Sequence, residues 1–185
     1  NTSVNNTGTP LTQFDLKADS VTLRNQNNEI YTVHAPSTVT NNVLTAGVTA
    51  NGRDQAGAFT ASSFIHFYWI WNGTTLASVS SATAPPTGPV LPTGYTFWAY
   101  DGPVYFTAGS ALTSVRYRGS WCWFAASQSA LAAGTATSTT AVSLTAIIPA
   151  NALNYSIHWY ANLRDNRNLH FQLVSGTDWA IIAAS

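Results

Sequence analysis

The segment FIHFYWIW, residues 64–71, carries six ring side chains in eight positions, His66 included. Such a run reads as a β-strand, and side chains of a strand point alternately to its two faces. One face would hold Phe64, His66, Tyr68 and Ile70, the other Ile65, Phe67, Trp69 and Trp71. Neither is polar, whereas a strand with one wet face alternates apolar with polar residues. The chain therefore has to supply a core on one side of this strand and a cover on the other. Asn72-Gly73 follows directly and predicts a two-residue type I′ turn, with positive φ at both positions, into a partner strand TTLASVS.

The rest of the sequence has the same β character. No long stretch repeats its apolar residues with helical period, and turn residues punctuate it at short intervals. Strands are expected in TQFDLKAD, SVTLRN, EIYTVH, NVLTAGV, TFWAY, PVYFT, SVRYRG, WCWFA, TAVSLTAII, YSIHWYA, LHFQLV and DWAIIAA. Residues 49–63 and 81–96 read as loops. Pro85, Pro86, Pro89 and Pro92 in the second cannot donate to a central ladder, which makes it a crossover between strands or sheets. QSALAAGTATSTT has room for a single helical turn before Gly134. Residues 1–10 are polar and read as an extended arm or linker, leaving residues 11–185 as one all-β domain, a β-sandwich of jelly-roll type.

Composition narrows the function classes. Seven basic and seven acidic residues give zero net charge, so the clustered positive charge that nucleic acid demands is missing. Hydrophobic residues make up 45%, with seven tryptophans, which rules out a disordered polar chain. A surface with so few charges is weakly protected against self-association and suits a subunit of a homo-oligomer. Phe67, Trp69 and Trp71 are the candidate oligomer-interface residues. No apolar run is long enough to span a bilayer. The chain has no methionine, so it is expected either to lack its initiator or to be cut from a longer polypeptide. Cys122, the single cysteine, excludes an internal disulfide and in SWCWF reads as a buried, inert thiol.

Catalytic patterns are sparse. Glu29 stands alone, and Asp15, Asp19, Asp54, Asp101, Asp165 and Asp178 show no paired spacing within a strand. His34, His66, His158 and His170 match no metal-ligand spacing, although His158 and His170 could meet across a hairpin. NGRDQAG offers calcium one carboxylate, Asp54, and reads as a tight loop with Arg53 paired to a neighbouring acid. No cofactor or metal is expected. Rings beside amides and charged groups suit sugar recognition, where an aromatic wall stacks on the sugar and polar anchors fix its hydroxyls. Two loops have that make-up. One carries Tyr95, Trp98, Tyr100 and Asp101; the other carries Trp159, Tyr160, Arg164, Asp165, Asn166 and Arg167. The competing reading of these rings is packing in the core or between subunits.

GTPLTQFDLKAD, NGRDQAGAF, WNGTTLASVSSATAP and LPTGYT, in that order and spacing across residues 8–120, resemble a family of virion proteins of tailed bacteriophages. The resemblance implies a structural, non-enzymatic protein at the surface of the phage particle, commonly trimeric, with no membrane insertion. Its members are tail-fibre or other appendage domains and small virion proteins. The expected function is therefore a tail-fibre or receptor-binding domain meeting a host-surface glycan or protein. A capsid decoration protein that cements the phage head is the alternative, and a carbohydrate-active enzyme a remote third. The chain departs from the family in PTGPV, which lengthens the proline loop, and in FWAYDG, where relatives often carry basic residues; the family brings no catalytic residues to transfer.

Overall fold

A computed structural model describes residues 1–128 and 143–155. Among these lie eleven strands: β1 Val4–Asn5, β2 Gln13–Leu16, β3 Ser20–Arg24, β4 Ile30–His34, β5 Val39–Asn42, β6 Gly52–Arg53, β7 Ser63–Trp71, β8 Leu76–Ser81, β9 Phe97–Phe106, β10 Val115–Arg118 and β11 Trp121–Phe124. They form a five-stranded sheet, β11-β10-β1-β2-β5, and a six-stranded sheet, β4-β3-β9-β7-β8-β6. All pairs are antiparallel except β6 with β8. The chain is all-β, and the two sheets share one core, an arrangement consistent with a β-sandwich.

That core follows from alternation. In β3 the side chains of Val21 and Leu23 are buried while Ser20, Thr22 and Arg24 are exposed, and β10 buries Val115 and Tyr117 but exposes Arg116 and Arg118. Phe14 and Leu16 of β2 meet Ile65, Phe67, Trp69 and Trp71 of β7 from the opposite sheet. The rings of Phe14 and Phe67 are 4.6 Å apart, and Tyr117 meets Phe14 edge-on at 6.2 Å. Full burial of a side chain such as Phe67 contributes about 1.5–3 kcal/mol.

The outer face of β7 is covered by the chain itself. Tyr68 and Ile70, with Ala77 and Val79 of β8, pack under Ala50, Leu91, Tyr95, Trp98 and Tyr100. The proline-rich crossover thus folds back over the sheet. It is held there by the Tyr68 hydroxyl, which donates to the Thr83 carbonyl at 2.6 Å, and by the Val90 N–H, which donates to Asp54 Oδ2 at 3.1 Å. Phe67, Trp69 and Trp71, the candidate interface residues, are instead buried between the two sheets of a single chain. No part of their faces needs a neighbouring subunit.

Other expectations are corrected as well. Residues 1–10 are not an arm. Val4–Asn5 pairs with β10 on one side and β2 on the other, because Ser3 and Asn5 find hydrogen-bonding partners inside the sandwich. NVLTAGV is a turn region and the strand precedes it at Val39–Asn42. TFWAY and PVYFT join into the single strand β9. Residues 144–148 form a turn in which the Ile147 and Ile148 N–H groups both donate to the Leu144 carbonyl at 2.8 Å. The β7–β8 hairpin forms, with its turn one residue later than expected. Only Gly73 has positive φ, +100°, and the Asn72 N–H pairs with the Thr75 carbonyl. Asn72 serves through its side chain, whose Oδ1 accepts from the Thr74 and Thr75 N–H groups. YSIHWYA, LHFQLV and DWAIIAA lie essentially or wholly outside the described residues, with His158 and His170 among them.

Candidate functional site

The site grows from an irregularity in β9. Phe67 pairs with Gly102 and Tyr68 with Tyr100, so Asp101 is an extra residue, a β-bulge. Phe97 and Ala99 point to the core, Trp98 and Tyr100 outward. Asp101 points inward in the same alternation as Phe97 and Ala99, and the extra residue then resets it so that Val104 and Phe106 also face the core. Gly102 is required at the reset: a Cβ there would lie 2.6 Å from the Tyr117 ring.

Asp101 is 8% exposed, and its Oδ1 accepts from Asn1 Nδ2 at 2.8 Å, Ser3 Oγ at 3.1 Å and Trp69 Nε1 at 3.0 Å. Burial raises its carboxyl above the ordinary carboxylate range, although those three hydrogen bonds pull the other way. On the outer side of β9 the Tyr100 hydroxyl is 2.9 Å from His66 Nδ1 and accepts from Asn151 Nδ2 at 3.2 Å. Burial lowers the His66 pKa to about 4, so the ring is neutral and Nδ1 can accept the tyrosine proton. Burial likewise raises the Tyr100 hydroxyl.

Along the described chain β3 pairs with β9 only at Arg24 and Trp98. Beyond that point the two strands part, and a cleft of about 1210 Å³ opens beside the β10–β11 hairpin and residues 144–155. Trp121 and Trp123 share a face of β11, are 56% and 48% exposed, and stand with ring centroids 6.2 Å apart. Around them lie hydroxyls and amides, including Ser120, Gln128, Asn151 and Tyr155, and directly across the hairpin on the same face stand the exposed Arg118 and Arg116 of β10. Among the described lining residues there is no lysine or arginine, and the one carboxylate is Asp101. A smaller groove of about 350 Å³ sits on the outer face, where the Arg24 guanidinium lies 5.7 Å over the Trp98 ring.

The first candidate loop is thereby split. Tyr95, Trp98 and Tyr100 pack on the outer face of β7, whereas Asp101 turns into the sandwich. Trp159, Tyr160, Arg164, Asp165, Asn166 and Arg167 lie outside the described residues. Arg53 is buried and donates to the Ala56 carbonyl at 3.3 Å; the ion pair among the described residues is Lys17 with Asp15, at 3.8 Å. Cys122 is exposed, not buried. Partial burial of the thiol pushes it up, away from a reactive thiolate, while its contact with Tyr117 pulls the other way. Trp121 and Trp123 escaped the sequence reading because WCWF looked like core. The signal was present in the spacing, since residues two apart on an edge strand share a face. Among the described residues no three metal-ligating side chains converge. No family model matches the chain, and no curated protein or solved structure shows significant similarity to it.

Proposed function

We propose that this chain is a non-enzymatic structural protein of a tailed-phage virion, serving as a tail-fibre or receptor-binding domain on the particle surface. It works as a homotrimer with a jelly-roll sandwich in each subunit. The observation that carries the reading is the rim of the cleft: two exposed tryptophans beside hydroxyls and amides, with Arg118 and Arg116 of β10 directly opposite them on the same face. Aromatic faces with a few polar anchors are the chemistry of sugar recognition. Among the described lining residues Asp101 is the one carboxylate, which favours binding over glycoside hydrolysis, a reaction that generally takes two. The order of motifs across residues 8–120 supports the virion setting. The sparse surface charge and the exposed Ile30 and Tyr31 on edge strand β4 support the oligomer.

The test uses the full chain after light scattering has counted three chains per particle. Adsorption to host cells and to undecorated capsids is compared for the wild type and the Trp121→Ala, Trp123→Ala double variant. The account expects cell binding that the double variant loses while its melting temperature holds. Binding to capsids alone moves the assignment to head decoration, and binding to neither defeats it.

A further inference from the structure

Two buried side-chain oxygens in the bulge have no donor among the described residues, Asp101 Oδ2 and Asn1 Oδ1. They belong to planar groups already joined by one hydrogen bond, from Asn1 Nδ2 to Asp101 Oδ1 at 2.8 Å. The distribution is lopsided: Oδ1 of Asp101 takes three donors and Oδ2 takes none. An ionised carboxylate would leave two buried acceptors unsatisfied on groups that touch, and each such acceptor is destabilising. A single proton satisfies both.

We propose that Asp101 is a neutral carboxylic acid whose Oδ2–H donates to Asn1 Oδ1. This closes a two-hydrogen-bond acid–amide ring that latches the N-terminal segment to the β9 bulge. The proton comes from solvent as the chain folds and returns to it when the ring opens; no other bond changes. The titratable side chains coupled to Asp101 are Tyr100, on the outer face of β9, and Tyr117 on β10 with Cys122 beside it on β11. The three hydrogen bonds to Oδ1 favour the carboxylate. Burial outweighs them and raises the carboxyl, in the direction the ring requires.

The sign of the pH dependence follows. A carboxyl whose folded pKa is raised takes up a proton on folding, so its stabilising effect is complete below the ordinary carboxylate range. The effect is lost as pH rises through the raised value. Asp101→Asn keeps the ring, with an amide N–H in place of the acid O–H, and removes the titration. Asp101→Ala removes the ring.

The experiment reads melting temperatures of the full chain and both variants from mildly acidic to alkaline pH, together with the carbon-13 shift of the Asp101 carboxyl in the wild type. Taking Asp101→Asn minus wild type at each pH cancels the titration of His66. The proposal expects that difference to widen in favour of Asp101→Asn as pH rises, Asp101→Ala to melt lower throughout, and the wild-type carboxyl to stay protonated above the ordinary range. A flat difference, or a carboxyl that ionises in the ordinary range, overturns it. If Asp101→Asn fails to fold, the carboxyl shift alone decides.

Discussion

His66 shows how position fixes the chemistry of a side chain in this protein. It lies on β7 under cover on both faces, and burial holds its pKa near 4 against an ordinary 6.5. A histidine with a depressed folded pKa binds protons more readily when unfolded. Its stabilising effect is therefore complete above pH 6.5 and lost as pH falls toward about 4. The loss is on the order of 2 kcal/mol. His66→Gln, which can still accept from Tyr100, should flatten this acid limb; urea melts at pH 4 and 7 check it, and an unchanged limb assigns the acid sensitivity elsewhere. The sequence marked His66 as a strand residue without a metal motif, but its tyrosine partner sits 34 residues away and left no local trace. Asn72 is similar. Asn-Gly identified the hairpin, yet the backbone uses Gly73 for positive φ and the Asn72 side chain as an acceptor, a choice made by the pairing of Trp71 with Leu76.

Among the strands, alternation was legible where one face is wet, as in β3 and β10. It also identified β7 as a strand covered on both sides. It could not say which residues provide the cover. On the core side that is the five-stranded sheet, and on the outer side the proline crossover with Tyr95, Trp98 and Tyr100. Two-residue strands such as β1 and β6 are too short to carry any period, so β1 looked like an arm. The bulge at Asp101 was hidden for another reason: it exists only relative to the register of β7. The revised placement changes what substitutions do. Had one face of β7 met a neighbour, Trp69→Asp or Trp71→Asp would dissociate an oligomer and leave folded subunits. Both residues lie in the intersheet core, where an unpaired charge is strongly destabilising. Both variants should therefore lose the cooperative melt by circular dichroism, and a folded monomer from either would contradict the packing described.

For the molecule as a whole, covering the aromatic strand within one chain leaves exposed rings on the edge strands. Tyr31 on β4 stacks on Trp71 at 5.3 Å yet stays 46% exposed, and Trp121 and Trp123 stand on the opposite sheet's edge strand. Neutral composition was visible in the sequence, but which rings are spent on the core and which are left to meet a partner depends on three-dimensional pairing. In the proposed virion the β4 edge would meet neighbouring subunits and the cleft would meet the host. The most direct measurement is calorimetric titration of the full chain, and of the Trp121→Ala, Trp123→Ala variant, with neutral polysaccharide purified from the host envelope. Saturable binding by the wild type that falls by about tenfold or more in the variant, a loss of about 1.4 kcal/mol or more, is the predicted result. Equal binding by the two proteins, or none by the wild type, would contradict the cleft as the recognition site.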